Sequence, residues 1–258
     1  MFPSCSTLVA VIIAVTQASA AVIRNVNASV PLGKRQAPGE VILSCTEPNT
    51  VALTFDDGPY IWTQELVDML DAADAKGTFY FRGCIYDEDN VERVQYAFER
   101  GHQIASHTWS HAHLPTLTIP ELHREFWLLQ EAVLKITGAY LVHTRPPFGE
   151  YNADVLHVAG LHGQTITYWD FDSLDTIMSP QQSTGSYQAL IGQRPPSILT
   201  LNHEITESTV KVLMPAVIRA VQSAGYRMVT VAECLGVEPY LWIGEPEDRD
   251  ESWTCADK

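Results

Sequence analysis

Apolar runs alternate with amphipathic ones along most of the chain. Seven short runs read as strands: Val51 to Phe55, Gly77 to Phe81, His102 to Ser106, Tyr140 to His143, Gln164 to Trp169, Ser197 to Leu201 and Tyr226 to Val231. Between them, apolar residues recur at helical spacing over Thr63 to Asp74, Asn90 to Arg100, Ile119 to Thr137 and Ser208 to Ala224. Gly77, Gly101, Gly138 and Gly225 stand where helix C-caps favour glycine. About seven strand-and-helix repeats predict an α/β protein with a parallel sheet, closed as a barrel. In such a fold the chemistry sits where strands end and loops begin.

The polar residues sort accordingly. The first strand ends in Asp56-Asp57, the third in His107-Thr-Trp-Ser-His111, and the fourth leads into Arg145-Pro-Pro-Phe148. The fifth ends in Trp169-Asp170-Phe-Asp172-Ser-Leu-Asp175 and the sixth in Asn202-His203-Glu204. Adjacent carboxylates repel, and Asp-Asp-Gly-Pro by itself fits a turn. Five strand ends bearing carboxylates, imidazoles or a guanidinium are not explained by turns.

Composition narrows the setting. Thr7 to Val15 is an apolar run too short to span a bilayer, and Ala18-Ser19-Ala20 has the form of a signal-peptidase site, so residues 1–20 read as a signal peptide. Lys34-Arg35 before Gln36 reads as the end of a pro-segment over 21–35, leaving one domain over 36–258 with no membrane span. The 13 basic residues after Arg35 face 31 acidic ones, so that part carries −18, which argues against nucleic acid or an anionic membrane as partner. Secretion to the extracellular space or cell wall is expected, as a monomer. Cys45, Cys84, Cys234 and Cys255 are an even set without metal-type spacing, so disulfides are expected, with three pairings open.

His107 and His111 have an i, i+4 spacing, which on a helical turn puts two imidazoles on one face, ~5–6 Å apart at Cβ. With a carboxylate from the first strand they make a two-His, one-Asp site with positions left open for water. Tyr60, Trp62 and Trp109 flank these segments and are candidates for stacking on a ring-bearing ligand. His102, His113, His123, His143, His157 and His162 read as surface or packed residues.

Five segments in order, Thr54-Phe-Asp-Asp-Gly-Pro59, His107 to His111, Arg145 to Phe148, Asp172-Ser-Leu-Asp175 and Leu201-Asn-His203, resemble the metal-dependent polysaccharide deacetylases. This carbohydrate esterase family has a NodB-type domain found in rhizobial chitooligosaccharide deacetylases and fungal chitin deacetylases. The resemblance covers about residues 45–236 and is greatest to the secreted fungal enzymes. It implies a distorted (β/α) barrel. It also implies a divalent metal, zinc or alternatively cobalt or another ion, on Asp57, His107 and His111. Asp56 would be the general base toward the attacking water and His203 the general acid toward the leaving amine. Arg145 would orient Asp56 and be held by Asp172; Leu201 would line the acetyl pocket, and the Phe148 N–H would help stabilise the oxyanion. The Cys45 to Cys234 framing implies that bridge, leaving Cys84–Cys255.

Two departures stand out. Thr176 occupies a position that is Trp in many members, and Arg82-Gly-Cys84 passes directly into Ile85-Tyr-Asp where fungal relatives carry an Asn/Gly-rich loop. The expected activity is hydrolysis of N-acetyl groups on N-acetylglucosamine polymers, with chitin or its oligomers as substrate. Acetylxylan or peptidoglycan deacetylation is the alternative within the enzyme class, and a non-catalytic chitin-binding protein the alternative outside it.

Overall fold

The computed structural model describes residues 34–256; the signal-peptide segment, nearly all of the pro-segment and the last two residues lie outside it. From the N-terminus run β1 (Val41–Ile42), β2 (Thr50–Ala52), β3 (Thr54–Asp56), α1 (Thr63–Ala72), β4 (Thr78–Phe81), α2 (Glu88–Glu99) and β5 (Gln103–Ser106). Next come α3 (Ile119–Thr137), β6 (Ala139–Leu141), β7 (His143–Thr144), α4 (Ala153–Leu161), β8 (Thr165–Thr167) and β9 (Phe171–Asp172). The chain continues through α5 (Pro180–Gly192), β10 (Ser197–His203), α6 (Met214–Ser223), β11 (Arg227–Val229), α7 (Val231–Leu235) and β12 (Tyr240–Ile243).

Ten strands form one sheet, ordered β1-β8-β7-β5-β4-β3-β10-β2-β11 with β9 beside β10, and every pairing in it is parallel. β6 and β12 make a separate antiparallel pair. The sheet wraps as a distorted barrel. Its ladder is broken between β8 and β10, where the Asp170 N–H donates to the Leu199 carbonyl at 3.0 Å and the Leu199 N–H donates back to Asp170 Oδ1 at 2.7 Å. Strands covered on both faces read as continuous apolar runs, as parallel sheets require. Phe55 on β3 and Phe79 and Phe81 on β4 meet in the main core with tilted rings, centroids 5.3 and 5.8 Å apart.

The register positions the chemistry. His203 pairs with Asp56 across β10 and β3, and Ser106 pairs with Thr144 across β5 and β7. Asp56 and His203 therefore stand side by side, as do the next residues along β5 and β7, His107 and Arg145.

The predicted helices form with small shifts. Gly138 caps α3 at φ 75°, and a Cβ there would lie 2.1 Å from the Gly244 carbonyl, so only glycine fits. Gly77 is not a cap; Asp74, at φ 52°, takes the left-handed position after α1. The run predicted from Ser208 opens as one π turn over Thr209–Leu213 before α6. Pro215 lacks the N–H that a regular α ladder would use there. Helices α4, α5 and α7 fill further segments between the strands.

Both bridges form: Cys45–Cys234 with Cα atoms 5.1 Å apart and Cys84–Cys255 with Cα atoms 5.8 Å apart. The first ties the approach to β2 to α7; the second ties the loop after β4 to the C-terminal segment. Lys34 and Arg35 lie against the fold, the Lys34 carbonyl accepting from the Glu238 N–H at 3.2 Å and Arg35 Nη2 donating to the Leu241 carbonyl at 2.8 Å.

Candidate active site

Asp56, Asp57, His107, His111, Phe148, Leu201 and His203 converge on one pocket of about 230 Å³ at the C-terminal ends of the strands. The backbone there is unusual. Asp57, Thr108, His111, Phe148 and Leu174 all have positive φ, between 53° and 73°, although none is glycine. Such positions persist only where the surroundings over-determine them, and they gather at functional sites.

Asp57, His107 and His111 bring ligand atoms within 4.8 Å of one another. The two histidines are not on a helical turn as the spacing suggested. Left-handed residues at Thr108 and His111 fold the segment into a loop that leaves the rings 5.0 Å apart. Glu125, buried on α3, holds this loop by accepting from the Trp109 N–H at 3.0 Å, the Ser110 N–H at 2.8 Å and the Ser110 hydroxyl at 2.5 Å. Sequence reasoning missed Glu125. Its signal was a carboxylate inside the apolar stripe Leu122, Phe126, Leu129.

The donor set fits a divalent cation. His107 Nδ1 lies 2.7 Å from the Arg145 carbonyl, which fixes the ring with Nε2 toward the cluster. Burial pushes the His107 pKa down; burial and the neighbouring His107 bring His111 to about 4, so both imidazoles are neutral and able to ligate. Burial raises Asp57, but His107, Arg82 and His111 outweigh it and hold the carboxyl below its ordinary value. Arg82 Nε donates to Asp57 Oδ1 at 2.6 Å.

Asp56 and Arg145 form a second, drier pair, with Arg145 wholly buried and Asp56 only 2% exposed. Arg145 Nη1 donates to Asp56 Oδ1 at 2.7 Å and to Thr54 Oγ1 at 2.6 Å, Nη2 to the Tyr168 carbonyl at 2.9 Å, and Nε to the Thr167 carbonyl at 3.3 Å. Its guanidinium also lies 4.1 Å over the Tyr80 ring. Asp172 is not among these partners. Its Oδ1 instead accepts from the Leu174 N–H at 2.8 Å, steadying a turn whose Leu174 is left-handed. The fork of Arg145 is filled by groups nearer to it.

The other aspartate of that segment is the one engaged at the pocket. Asp175 Oδ1 lies 2.8 Å from His203 Nδ1, and Oδ2 accepts from the His203 N–H at 2.8 Å and from the Thr209 hydroxyl at 2.7 Å. Burial pulls the His203 pKa down, but the hydrogen bond to Asp175 and the charges of Asp56, Asp175 and Asp57 lift it to about 9. His203 is therefore a cationic imidazole at neutral pH. Glu204, fully buried, accepts from Thr63 Oγ1 at 3.1 Å, and burial drives its pKa well up from the ordinary carboxylate value. Gly58 packs directly on that carboxyl, where a Cβ would meet Glu204 Oε1 at 1.3 Å.

The walls are mixed. Leu201 is 7% exposed and lines the pocket with Trp169 and Thr176, while the Phe148 ring contacts His111 edge-on at 4.7 Å and stacks on His113 at 4.2 Å. Of the aromatic candidates for sugar stacking, Tyr60 is 41% exposed. Trp109 is 8% exposed and belongs to the main core; Trp62 packs against that core, with Lys211 Nζ 4.6 Å over its ring. Burial removes Trp109 from any ligand, whereas Trp62, half-buried, has its ring engaged by the core and by Lys211.

Comparison with known proteins agrees with this geometry. Residues 44–167 match the family model described as polysaccharide deacetylase. A chitin deacetylase of Pestalotiopsis sp is 36% identical over 220 residues, covering 82% of this chain and 73% of that protein. A probable peptidoglycan-N-acetylglucosamine deacetylase of Arthroderma benhamiae is 35% identical over 79% of this chain and 48% of its own length. The solved structure of the chitin deacetylase from Colletotrichum lindemuthianum superposes with a TM-score of 0.76 at 32% identity, covering 80% of this chain and 96% of that one.

Proposed function

Because the chain belongs to the polysaccharide deacetylase family of carbohydrate esterases, we propose that it hydrolyses N-acetyl groups of chitin or chitin oligomers outside the cell, leaving glucosamine units and acetate. The observation that carries this reading is the flanking of the Asp57, His107, His111 cluster by two differently tuned pairs, Asp56 with Arg145 and His203 with Asp175, in one pocket.

Asp57, His107 and His111 would hold a divalent ion, zinc by the two-imidazole, one-carboxylate donor set, which supplies Lewis acidity when bound. Asp56, held by Arg145, takes the proton of the attacking water as its oxygen bonds to the acetyl carbon. The C–N bond then breaks, and His203 delivers its proton to the departing sugar nitrogen; a poor amine leaving group requires that proton. Asp175 keeps His203 charged and fixes its ring. Leu201 gives the acetyl methyl an apolar wall, and the Phe148 N–H, in its left-handed segment beside His111, is assigned to the developing oxyanion.

All of these groups address the acetamide and none the polymer, so peptidoglycan remains a second reading, favoured by the Arthroderma relative. A chitin-binding protein without catalysis would have no use for two tuned proton-transfer pairs. Acetate release from chitin oligomers, acetylxylan and peptidoglycan, measured in parallel on protein loaded with zinc or cobalt, tests the proposal. Turnover of the chitin oligomers above the other two is expected, and absence of acetate from all three rejects the enzyme reading.

A further inference from the structure

A groove of about 330 Å³ opens beside the catalytic pocket and shares the Asp57 carboxylate with it. Its lining suits one pyranose ring. Pro59 and the exposed Tyr60 offer apolar faces, Asn90 an amide and Arg82 a guanidinium. The Asn90 side chain is itself fixed, donating to Asp87 Oδ2 at 2.6 Å and accepting from Arg93 Nη1 at 2.8 Å.

Arg82 is the distinctive member. It stands in the abbreviated loop after β4, and that loop is held at three points: the Arg82 N–H donates to the Gly58 carbonyl at 2.9 Å, the Gly83 N–H to the Thr108 carbonyl at 3.4 Å, and Cys84 is bridged to Cys255. Its side chain is 37% exposed, and Nε is engaged by Asp57. Among the described residues, its two terminal nitrogens have no hydrogen-bond partner. Asp57 is the sole acidic residue lining the groove; its Oδ1 pairs with Arg82 Nε at 2.6 Å and lies 3.4 Å from His111 Nε2. A sugar seated here meets the partly exposed terminal nitrogens of the Arg82 guanidinium.

We propose that Arg82 makes this groove a charge-selective subsite, accepting a neutral N-acetylglucosamine unit next to the reacting one and rejecting a glucosamine unit, whose ammonium it repels. The inference rests on the deacetylase reading above and deepens it: the reaction converts a neutral neighbour into a cationic one, so each turnover makes the adjoining position a poorer site. Deacetylation would then be spaced along the chain and would slow as the polymer becomes cationic.

The test is a set of dissociation constants for fully N-acetylated and fully deacetylated glucosamine oligomers of equal length, measured on metal-loaded wild type, Arg82→Gln, Arg82→Glu and Arg82→Lys at mildly acidic pH. The preference for the acetylated oligomer should fall about threefold to tenfold in Arg82→Gln, fall further in Arg82→Glu and be restored in Arg82→Lys. It should also shrink in wild type at high salt. Comparing two ligands on one protein cancels any effect of the variants on metal content, which elemental analysis records separately. An unchanged ratio across all four proteins overturns the proposal. Acetate release on the same oligomers is scored independently: binding selectivity without acetate would reject the deacetylase reading and leave the Arg82 subsite standing, whereas acetate release with an unchanged ratio would do the reverse.

Discussion

The two proton-handling pairs face each other across one ladder position yet are built differently. Asp56 meets a guanidinium with no solvent exposure whose fork is saturated by two side chains and two carbonyls. His203 keeps 20% of its side chain exposed and leans on a carboxylate that has 2%. The first pair fixes an orientation. The second sets a proton affinity. A base needs to be aimed at the attacking water, whereas an acid must be charged before the reaction and neutral after it, so its partner has to tune as well as hold.

Breaking the aimed pair should have the largest effect. Asp56→Asn keeps the shape and removes the proton acceptor, so turnover should fall roughly 10²–10⁴-fold with metal content unchanged by elemental analysis. Loss of the ion instead, with the rate recovered on reconstitution, would exchange the roles of the two aspartates.

Asp57→Asn removes the anionic ligand. Metal affinity and acetate release should fall together by about 10–100-fold, with partial recovery at high metal concentration. Activity that stays low at saturating metal would indicate that Asp57 does more than ligate.

Asp175→Asn should act through pH. The His203 pKa of about 9 means that the charged acid persists at neutrality and is lost as pH rises through about 9. Without the Asp175 carboxylate, burial pulls that pKa back toward the ordinary 6.5 against the remaining charges of Asp56 and Asp57, so the alkaline limb of the rate profile moves down. At about pH 8 the variant should lose roughly tenfold relative to its own rate at pH 6, where wild type changes little. An unmoved limb would show that another group supplies the proton. Asp172→Asn, outside the pair, should leave the limb in place.

The smallest effect concerns stability. Glu204 has its folded pKa raised by burial above 4.5, so it contributes nothing unfavourable below that pH and lowers stability as pH rises above it, the unfolded chain ionising more readily. Glu204→Gln removes this dependence. The melting temperature should match wild type near pH 4 and exceed it at neutral pH by on the order of a few °C. Equal melting temperatures at both pH values would mean that Glu204 is ionised in the fold.

The sequence by itself determined which residue types stand at the ends of parallel strands. Alternating strand and helix periods with polar strand ends leave little freedom about where a barrel carries its chemistry, and Asp56, Asp57, His107, His111 and His203 were legible on that ground, Leu201 only through the family resemblance. Tertiary structure alone decided the partners. Asp172 and Asp175 are three residues apart in similar company, yet Asp175 meets His203 while Asp172 turns back to its own backbone, because the left-handed Leu174 between them sends the two carboxyls to different places. Trp109 resembled a sugar platform until packing placed it in the core. Glu125 and Arg82 gain their roles from loops remote in sequence, the one by receiving the N–H groups of Trp109 and Ser110, the other by closing on Asp57. Hydrogen-bond partners and burial belong to pairs of residues far apart along the chain, and a local pattern of apolar and polar positions carries no information about which distant group arrives.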